Sequence, residues 1–313
     1  MANAQVHIGV DVSKDTLDVF IPGGKTLRVR NTPAAVRRMV RGICAREPSA
    51  MFCCESTGGY ERTLLDVCRE EGQPVCLMNA QQVRCFAGHR GALEKTDRID
   101  AQMISMSADD KSPAPLVHPT DRQRKLKEMW TLRTQLVGER DRVRNQLEHL
   151  REKESVSAVN RIVAAIERQI ARLEELCREA IAQDAPSQAV LERVRLVKGV
   201  GPLTAIALAA LLPELLFLDD NRLAKLAGLA PICDQSGTKD GPRHIQKGRG
   251  LVRRALYFAA LSASRRNAIL SVFYRRLRDA GKPPKVALVA VMRKLLCLLR
   301  RIAQNPDFVP AST

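Results

Sequence analysis

The alternation of apolar and polar positions changes period several times along the chain. Val6–Val12 and Leu17–Ile21 are short apolar runs, Pro22-Gly23-Gly24 supply a turn, and Thr26–Arg30 complete a third predicted strand. Thr32-Pro33 then opens a helix to about Ala45, with Thr32 as N-cap and the proline at the first helical position. Met51–Glu55 reads as a buried strand, Tyr60–Glu71 as a helix, Pro74–Met78 as a strand, and a further helix follows near Ala80–Phe86. Three strands in a meander followed by alternating helices and strands is the element order of a ribonuclease-H-like α/β domain. An ordinary α/β sandwich gives the same string.

The period lengthens over 120–183. Met129, Leu132, Leu136, Val143, Leu147 and Leu150 recur at helical spacing, as do Val159, Ile162, Ile166, Ile170, Leu173 and Cys177. Two long helices are expected, forming an antiparallel coiled-coil hairpin that turns near Ser155–Ser157; two helices packed on a globular core would give the same pattern. Gln183–Ser187, with Pro186, reads as a linker. Residues 188–313 read as all-helical, with helices at Arg222–Leu226, Leu251–Arg265, Ala268–Ala280 and Lys285–Ile302. A polar, glycine-rich segment, Ile232–Gly250, interrupts them. The predicted fold is thus α/β plus all-α, in three parts: 1–115, 116–185 and 186–313.

Composition narrows the function. Fifty-one Lys and Arg against thirty-four Asp and Glu give a formal charge of +17, and the excess is concentrated. Between Lys239 and Arg301 stand seventeen basic residues and two acids, Asp240 and Asp279. Such a chain calls for a polyanion, and nucleic acid is the expected partner. At 4% aromatic, the sequence argues against recognition by base stacking. Nine cysteines without CxxC spacing read as core side chains of a reducing cytosol. With no secretory signal and no membrane-length apolar run, a cytoplasmic setting without membrane association is expected.

Four carboxylates stand out. Asp11 lies near the end of the first apolar strand and Glu55 ends the strand MFCCE, while Asp97 and Asp100, in EKTDRIDA, share a helix face that Thr96 is placed to cap. Hard cations take oxygen ligands, and two magnesium ions clamp the attacking and leaving oxygens of a phosphodiester, so this set is a candidate Mg2+ site. In Leu196–Ala205 (LVKGVGPLTA), Lys198, Gly199 and Gly201 precede a helix near Pro202. The glycines permit a tight turn whose amides bind phosphate, as in helix-hairpin-helix motifs, or else they merely allow two helices to pack closely. In Ala227–Leu256, Lys239, Arg243, His244, Lys247, Arg249, Arg253 and Arg254 surround Ser236. They are candidates to grip phosphate and activate a hydroxyl, although a loop serine is usually inert and the segment also reads as a solvated basic loop.

Together, GVDVSKDTLDV, ESTGGYE, KTDRIDA, KGVGPLTA and LAGLAPICDQSGTKDGPRHIQKGRGLVRRAL resemble, in order, the blocks of the insertion-sequence-110 family of transposases, the bridge-RNA-guided recombinases. The resemblance implies an N-terminal RuvC-like domain with Asp11, Glu55, Asp97 and Asp100 as its metal-binding acids. It further implies a coiled coil and a helical C-terminal transposase domain with Ser236 as nucleophile, forming a covalent phosphoserine link to DNA. It implies a homo-oligomer, a dimer assembling to a tetramer, in which the acids meet a serine from another protomer. A structured RNA encoded by the element would pair with target and donor DNA. The competing readings are a junction-resolving nuclease that hydrolyses DNA without serine chemistry, and a binding protein with a decayed site.

Overall fold

In the computed structural model, the described residues are 5–23, 25–91, 97–232, 235–236, 239–240 and 244–308, with the backbone alone described at 25, 97–98, 235–236 and 239–240. They divide into two compact units, 1–118 and 119–313.

The first unit is built on a five-stranded sheet. β1 (Val6–Val12), β2 (Thr16–Ile21) and β3 (Lys25–Arg30) form an antiparallel meander, and β4 (Ala50–Glu55) and β5 (Val75–Met78) add in parallel on the other side of β1, giving the order β3-β2-β1-β4-β5. Alternation along β1 and β4 sorts their side chains between two faces. Ile8, Val10, Phe52 and Cys54 face α1 (Pro33–Cys44) and α2 (Arg62–Glu70), while Met51 and Cys53 face α3 (Ala80–His89) and α4 (Asp97–Lys111). Thr32 occupies the N-cap of α1, but its side chain makes no capping bond, so the start signal rests on Pro33.

Of the eight described cysteines, Cys53, Cys54, Cys68, Cys76 and Cys177 are core side chains as expected, Cys44 and Cys297 are half-buried, and Cys85 is exposed. Cys53, Cys54 and Cys68 are fully buried, and eight cysteines are free among the described residues. Burial pushes the Cys68 thiol up to about 12 and the Cys177 thiol to about 11, which leaves them protonated and unreactive at neutral pH.

The second unit begins with two long helices. α5 (Asp121–Asn145) starts from a capping box between Thr120 and Gln123, and α6 (Lys153–Ala182) runs back beside it. The pairs Arg133–Glu174 (2.6 Å) and Arg144–Glu167 (3.0 Å) fix the antiparallel register. The turn is the short 3-10 segment Gln146–His149 and the residues after it, so Ser155–Ser157, expected at the turn, lie inside α6. Leu126, Trp130, Cys177 and Ile181 carry the open end of this pair into the main helical core.

The expected linker at Gln183–Ser187 is a helix start instead. Asp184 caps α7 (Ala185–Arg195) by accepting from the Ser187 amide at 3.2 Å, and Pro186 sits in the first turn, where no amide is missed. After α8 (Pro202–Leu211), α9 (Asp220–Ala227), α10 (Gly250–Arg266), α11 (Ala268–Asp279) and α12 (Pro284–Gln304) complete the unit. The segment 232–250 is not a featureless loop. β6 (Pro231–Ile232) pairs with β9 (His244–Ile245), and β7 (Gln235–Ser236) pairs with β8 (Lys239–Asp240). Among the described residues no helix is long and apolar enough to cross a membrane.

Two glycines offer a test of the packing. A Cβ on Gly9 would lie 1.9 Å from the backbone oxygen of Ala101, whereas one on Gly138, exposed in α5, meets nothing within 4 Å. Gly9→Ala is expected to lower stability to chemical denaturation by about 3 kcal/mol, the upper part of the overpacking range. Gly138→Ala is expected to raise stability by about 0.5–1 kcal/mol. Equal effects of the two substitutions would contradict the described packing of α4.

Candidate active site

His7, Gly9 and Asp11 share the face of β1 that α4 covers. The helix backbone reaches the sheet at Gly9, whose missing side chain admits Ala101 and Ser105. One turn further along α4, the Ser105 hydroxyl donates to the His7 carbonyl at 2.7 Å, and beyond it Asp109 meets His7 Nδ1 at 2.7 Å. The helix is therefore antiparallel to β1. Four helical residues advance about 6 Å and two strand residues about 6.6 Å, so the steps from Ser105 to Ala101 to Asp97 match those from His7 to Gly9 to Asp11. The first turn of α4, from Asp97 to Asp100, thus lies toward the Asp11 end of the sheet.

Glu55 reaches the same place by strand register. Val10 stands opposite Cys54, which sets Asp11 level with Glu55 on a neighbouring strand, about 4.8 Å away along the pairing direction. Three of the four expected acids, Asp11, Glu55 and Asp100, are partly exposed at this edge. The side chain of Asp97 and residue Thr96 lie outside the described residues. Carboxylates are the donors a hard divalent cation takes, so the donor chemistry fits Mg2+. Among the described residues, however, no group of three His, Cys, Asp or Glu side chains forms a ready-made ligand cluster.

Sequence reasoning missed three residues around this edge. Asp18 stands opposite Asp11 in the β1–β2 register and is buried, with its charge met by Arg28 at 2.9 and 3.1 Å from Nε and 2.9 Å from Nη2. The alternation of Leu17 and Val19 into the core was the available signal for its orientation. Glu61, also buried, accepts from the amides of Thr57 (3.1 Å) and Gly59 (2.8 Å) and from the Thr57 hydroxyl (2.9 Å), folding the loop after Glu55 around its carboxylate. Asn31 donates to the carbonyls of Ser13 (2.9 Å) and Tyr60 (3.1 Å), tying together the loops that follow Asp11 and Glu55. No sequence spacing announces the last two roles, because each side chain works across separate loops.

Burial raises the Glu61 carboxyl, but the hydrogen bonds it accepts outweigh burial and hold it below the ordinary glutamate value.

In the second unit, Gly199 has φ +104°, and a Cβ there would come within 2.6 Å of the Ala263 backbone in α10. Close packing therefore accounts for this glycine without a ligand. Lys198 and Gly201 remain exposed at the entry to α8.

The base of the serine segment is tightly closed. Gly228 (φ +70°) ends α9 in the left-handed conformation and meets Gly248 (φ +67°), whose Cβ would lie 2.3 Å from the Gly228 nitrogen. The Arg249 amide donates to Leu226 at 2.9 Å, and Arg253 Nη1 donates to the Lys247 carbonyl at 2.6 Å. The Arg249 guanidinium, expected to grip phosphate, is instead held by both oxygens of Glu214 at 2.6 Å and by the Leu211 carbonyl at 2.8 Å. It closes the end of α8 and braces the loop. Above this base, Ser236 pairs through its backbone with Lys239. His244, Lys247 and Arg254 are exposed, while Arg243 lies outside the described residues.

A DEDD transposase model of the IS110 type, described as "Transposase", matches residues 8–152, and one described as "Transposase IS116/IS110/IS902 family" matches residues 191–275. The pilin gene-inverting protein of Moraxella bovis is 26% identical over 333 residues, covering 97% of this chain and 98% of that protein. Its Moraxella lacunata counterpart is 25% identical over 335 residues, with the same shares covered. Among solved structures, T. thermophilus RuvC in complex with a Holliday junction substrate aligns with 36% of this chain and 100% of its own, at 16% identity and a TM-score of 0.29. The chain is a DNA transposase or recombinase, an enzyme that cuts and transfers DNA strands. It belongs to the IS110 family of transposases.

Two measurements test the supports of the site. The contribution of Glu61 to stability is complete above the ordinary value of 4.5 and is lost as pH falls through its lowered folded value. Glu61→Gln should therefore flatten the loss of stability between about pH 5 and 3; a curve parallel to that of the unsubstituted protein would refute the loop-organising role. Arg249→Ala should cost about 1.5–3 kcal/mol in thermal unfolding, as for a hydrogen-bonded charge, while Arg254→Ala leaves stability within about 0.5 kcal/mol.

Proposed function

We propose that Asp11, Glu55, Asp97 and Asp100 hold Mg2+ in a ribonuclease-H-like, RuvC-like domain, and that Ser236 is the nucleophile of the recombination reaction. The observation that carries this reading is the packing of α4 on Gly9, which directs the Asp97–Asp100 turn toward the strand ends bearing Asp11 and Glu55. The strand order β3-β2-β1-β4-β5 supports the fold assignment. In functional terms, 1–115 supplies the acids, 116–185 a coiled-coil connection, and 186–313 the serine and its surrounding cations.

When bound, Mg2+ would neutralise the phosphodiester and stabilise charge on the attacking and leaving oxygens. Ser236 Oγ attacks phosphorus, one strand is joined to the serine as a phosphodiester, and the displaced oxygen leaves as a hydroxyl carrying the proton. Attack by the hydroxyl of another DNA end reverses the exchange and frees the serine. No high-energy cofactor is needed, because each bond broken is replaced by one of the same kind. The clasp below Ser236 supports this role by holding the base of the hairpin fixed. Lys198, Gly201, Lys239, Arg243, His244, Lys247, Arg253 and Arg254 would contact the nucleic-acid backbone. The active form is a homo-oligomer, a dimer assembling to a tetramer in the cytoplasm, and an element-encoded bridge RNA selects target and donor DNA by base pairing.

The test is recombination of two DNA substrates by purified protein with Mg2+, with and without RNA transcribed from the flanks of its own gene. Joining should require the RNA and fall by on the order of 10³-fold or more for Ser236→Ala and for Asp11→Asn. Asp11→Asn should retain RNA binding. Cleavage that ignores the RNA and survives Ser236→Ala would instead identify a hydrolytic nuclease.

A further inference from the structure

The positive charge of the second unit is not distributed in one manner. On the α5–α6 pair, four exposed arginines are neutralised locally, Arg142 by Glu139, Arg144 by Glu167, Arg172 by Glu179 and Arg178 by Glu175, while Arg161 and Arg168 stand apart from one another without an ion pair among the described residues. The surface around α11 is the opposite. Arg265, Arg266, Arg275, Arg276, Arg278 and Lys282 are all exposed, Asp279 is the one acid in that stretch of sequence, and none of the six cations makes an ion pair among the described residues. Six cations without an ion pair among the described residues repel one another and leave a positive field that favours a polyanion.

The fold also sets their spacing. Asn267, buried between α10 and α11, accepts from the amides of Ile269 (3.2 Å) and Leu270 (3.1 Å), so Arg265 and Arg266 stand at the start of α11. Arg275, Arg276 and Arg278 lie at its far end, where Arg276 stacks over the Phe273 ring at 5.4 Å. From Ala268 to Arg276–Arg278 the helix rises about 12–15 Å. That is close to the roughly 12 Å width of the B-DNA major groove. Ile269 and Val272, 45% and 58% exposed, occupy the span between.

We propose that α11 is a docking surface for duplex DNA outside the catalytic loop, with cations at its two ends contacting phosphates on either side of a groove. This rests on the reading of the chain as a DNA-recombining enzyme and adds a surface that neither the carboxylates nor the serine segment supplies. The contacts are to phosphate and carry no sequence preference, so the surface orients the duplex and leaves its selection to other parts of the assembly.

The experiment compares two full-length variants with the same loss of charge. One carries Arg265→Gln, Arg266→Gln, Arg275→Gln and Arg278→Gln; the other carries Arg142→Gln, Arg144→Gln, Arg172→Gln and Arg178→Gln. Binding of a fluorescent duplex of unrelated sequence is measured by anisotropy over a range of salt concentrations, after thermal melting confirms that both variants fold. Each lost phosphate contact lowers the slope of log K against log salt by about 0.9. The α11 variant should therefore lose about 3–4 units of slope and at least tenfold in affinity at low salt. The α5–α6 variant should stay within about one unit of the unsubstituted protein. Equal changes in the two would reduce the effect to net charge and overturn the proposal. A loss confined to an RNA duplex of the same length would overturn the assignment to DNA. Ser236→Ala, measured in parallel, should bind the duplex normally, so failure of the serine mechanism remains distinguishable from failure of this surface.

Discussion

The first unit depends on one close approach, that of the α4 backbone to β1 at Gly9. Any side chain there would collide with the Ala101 carbonyl, so the helix could not lie on the sheet at this depth. Once it does, Ser105 can reach the His7 carbonyl and Asp109 can reach the His7 ring, and these polar contacts fix where the helix stops along the strand. Sliding α4 by one turn would break both and move Asp97 and Asp100 about 5.4 Å from their level. The glycine thus sets the depth, the hydrogen bonds set the longitudinal position, and the carboxylate-bearing turn inherits both. Apolar packing of Met103, Ile104 and Ala108 against Met51 and Cys53 supplies cohesion, but such contacts do not select a register so narrowly.

Much of this was legible in the sequence because the relevant signals are local. Alternation placed β1 and β4, Pro33 marked the start of α1, and the positions of Asp11 and Glu55 beside apolar strand ends singled them out as carboxylates with an unusual setting. What escaped was nonlocal. Glu61 is a plain helix-entry glutamate in the sequence, and only the folded loop turns Thr57 and Gly59 back onto it. Asn31 lies between a strand and a helix, and nothing along the chain says that it reaches both Ser13 and Tyr60. Arg249 is the clearest case. Its neighbourhood in sequence is basic and glycine-rich, which favours a phosphate role, whereas Glu214, its partner, is thirty-five residues away in the short 3-10 turn after α8.

Arg249 also shows why the serine segment need not be a loose loop despite its glycines. Gly228 and Gly248 give the chain freedom only where two backbones must cross, and there the freedom is used up by contact. With Arg249 clamped by Glu214 and Arg253 holding the Lys247 carbonyl, the segment leaves and rejoins the helical core at a single point. The backbone entropy of this base is therefore lost in folding and not on meeting a partner.

The same distinction between satisfied and unsatisfied charge separates structural cations from those available to a partner. Net charge counts Arg144, Arg249 and Arg275 alike, yet the first two already have carboxylates within hydrogen-bonding distance and the third has none among the described residues. Binding a phosphate would require Arg249 to abandon Glu214, leaving a partly buried carboxylate unpaired, a cost of the kind that makes breaking such a pair strongly destabilising. Arg275 faces no such competition. A recombinase that must hold DNA while keeping its own fold braced benefits from this division. Cations such as Arg249 are committed to holding the backbone, and cations such as Arg275 remain available for electrostatic attraction to DNA.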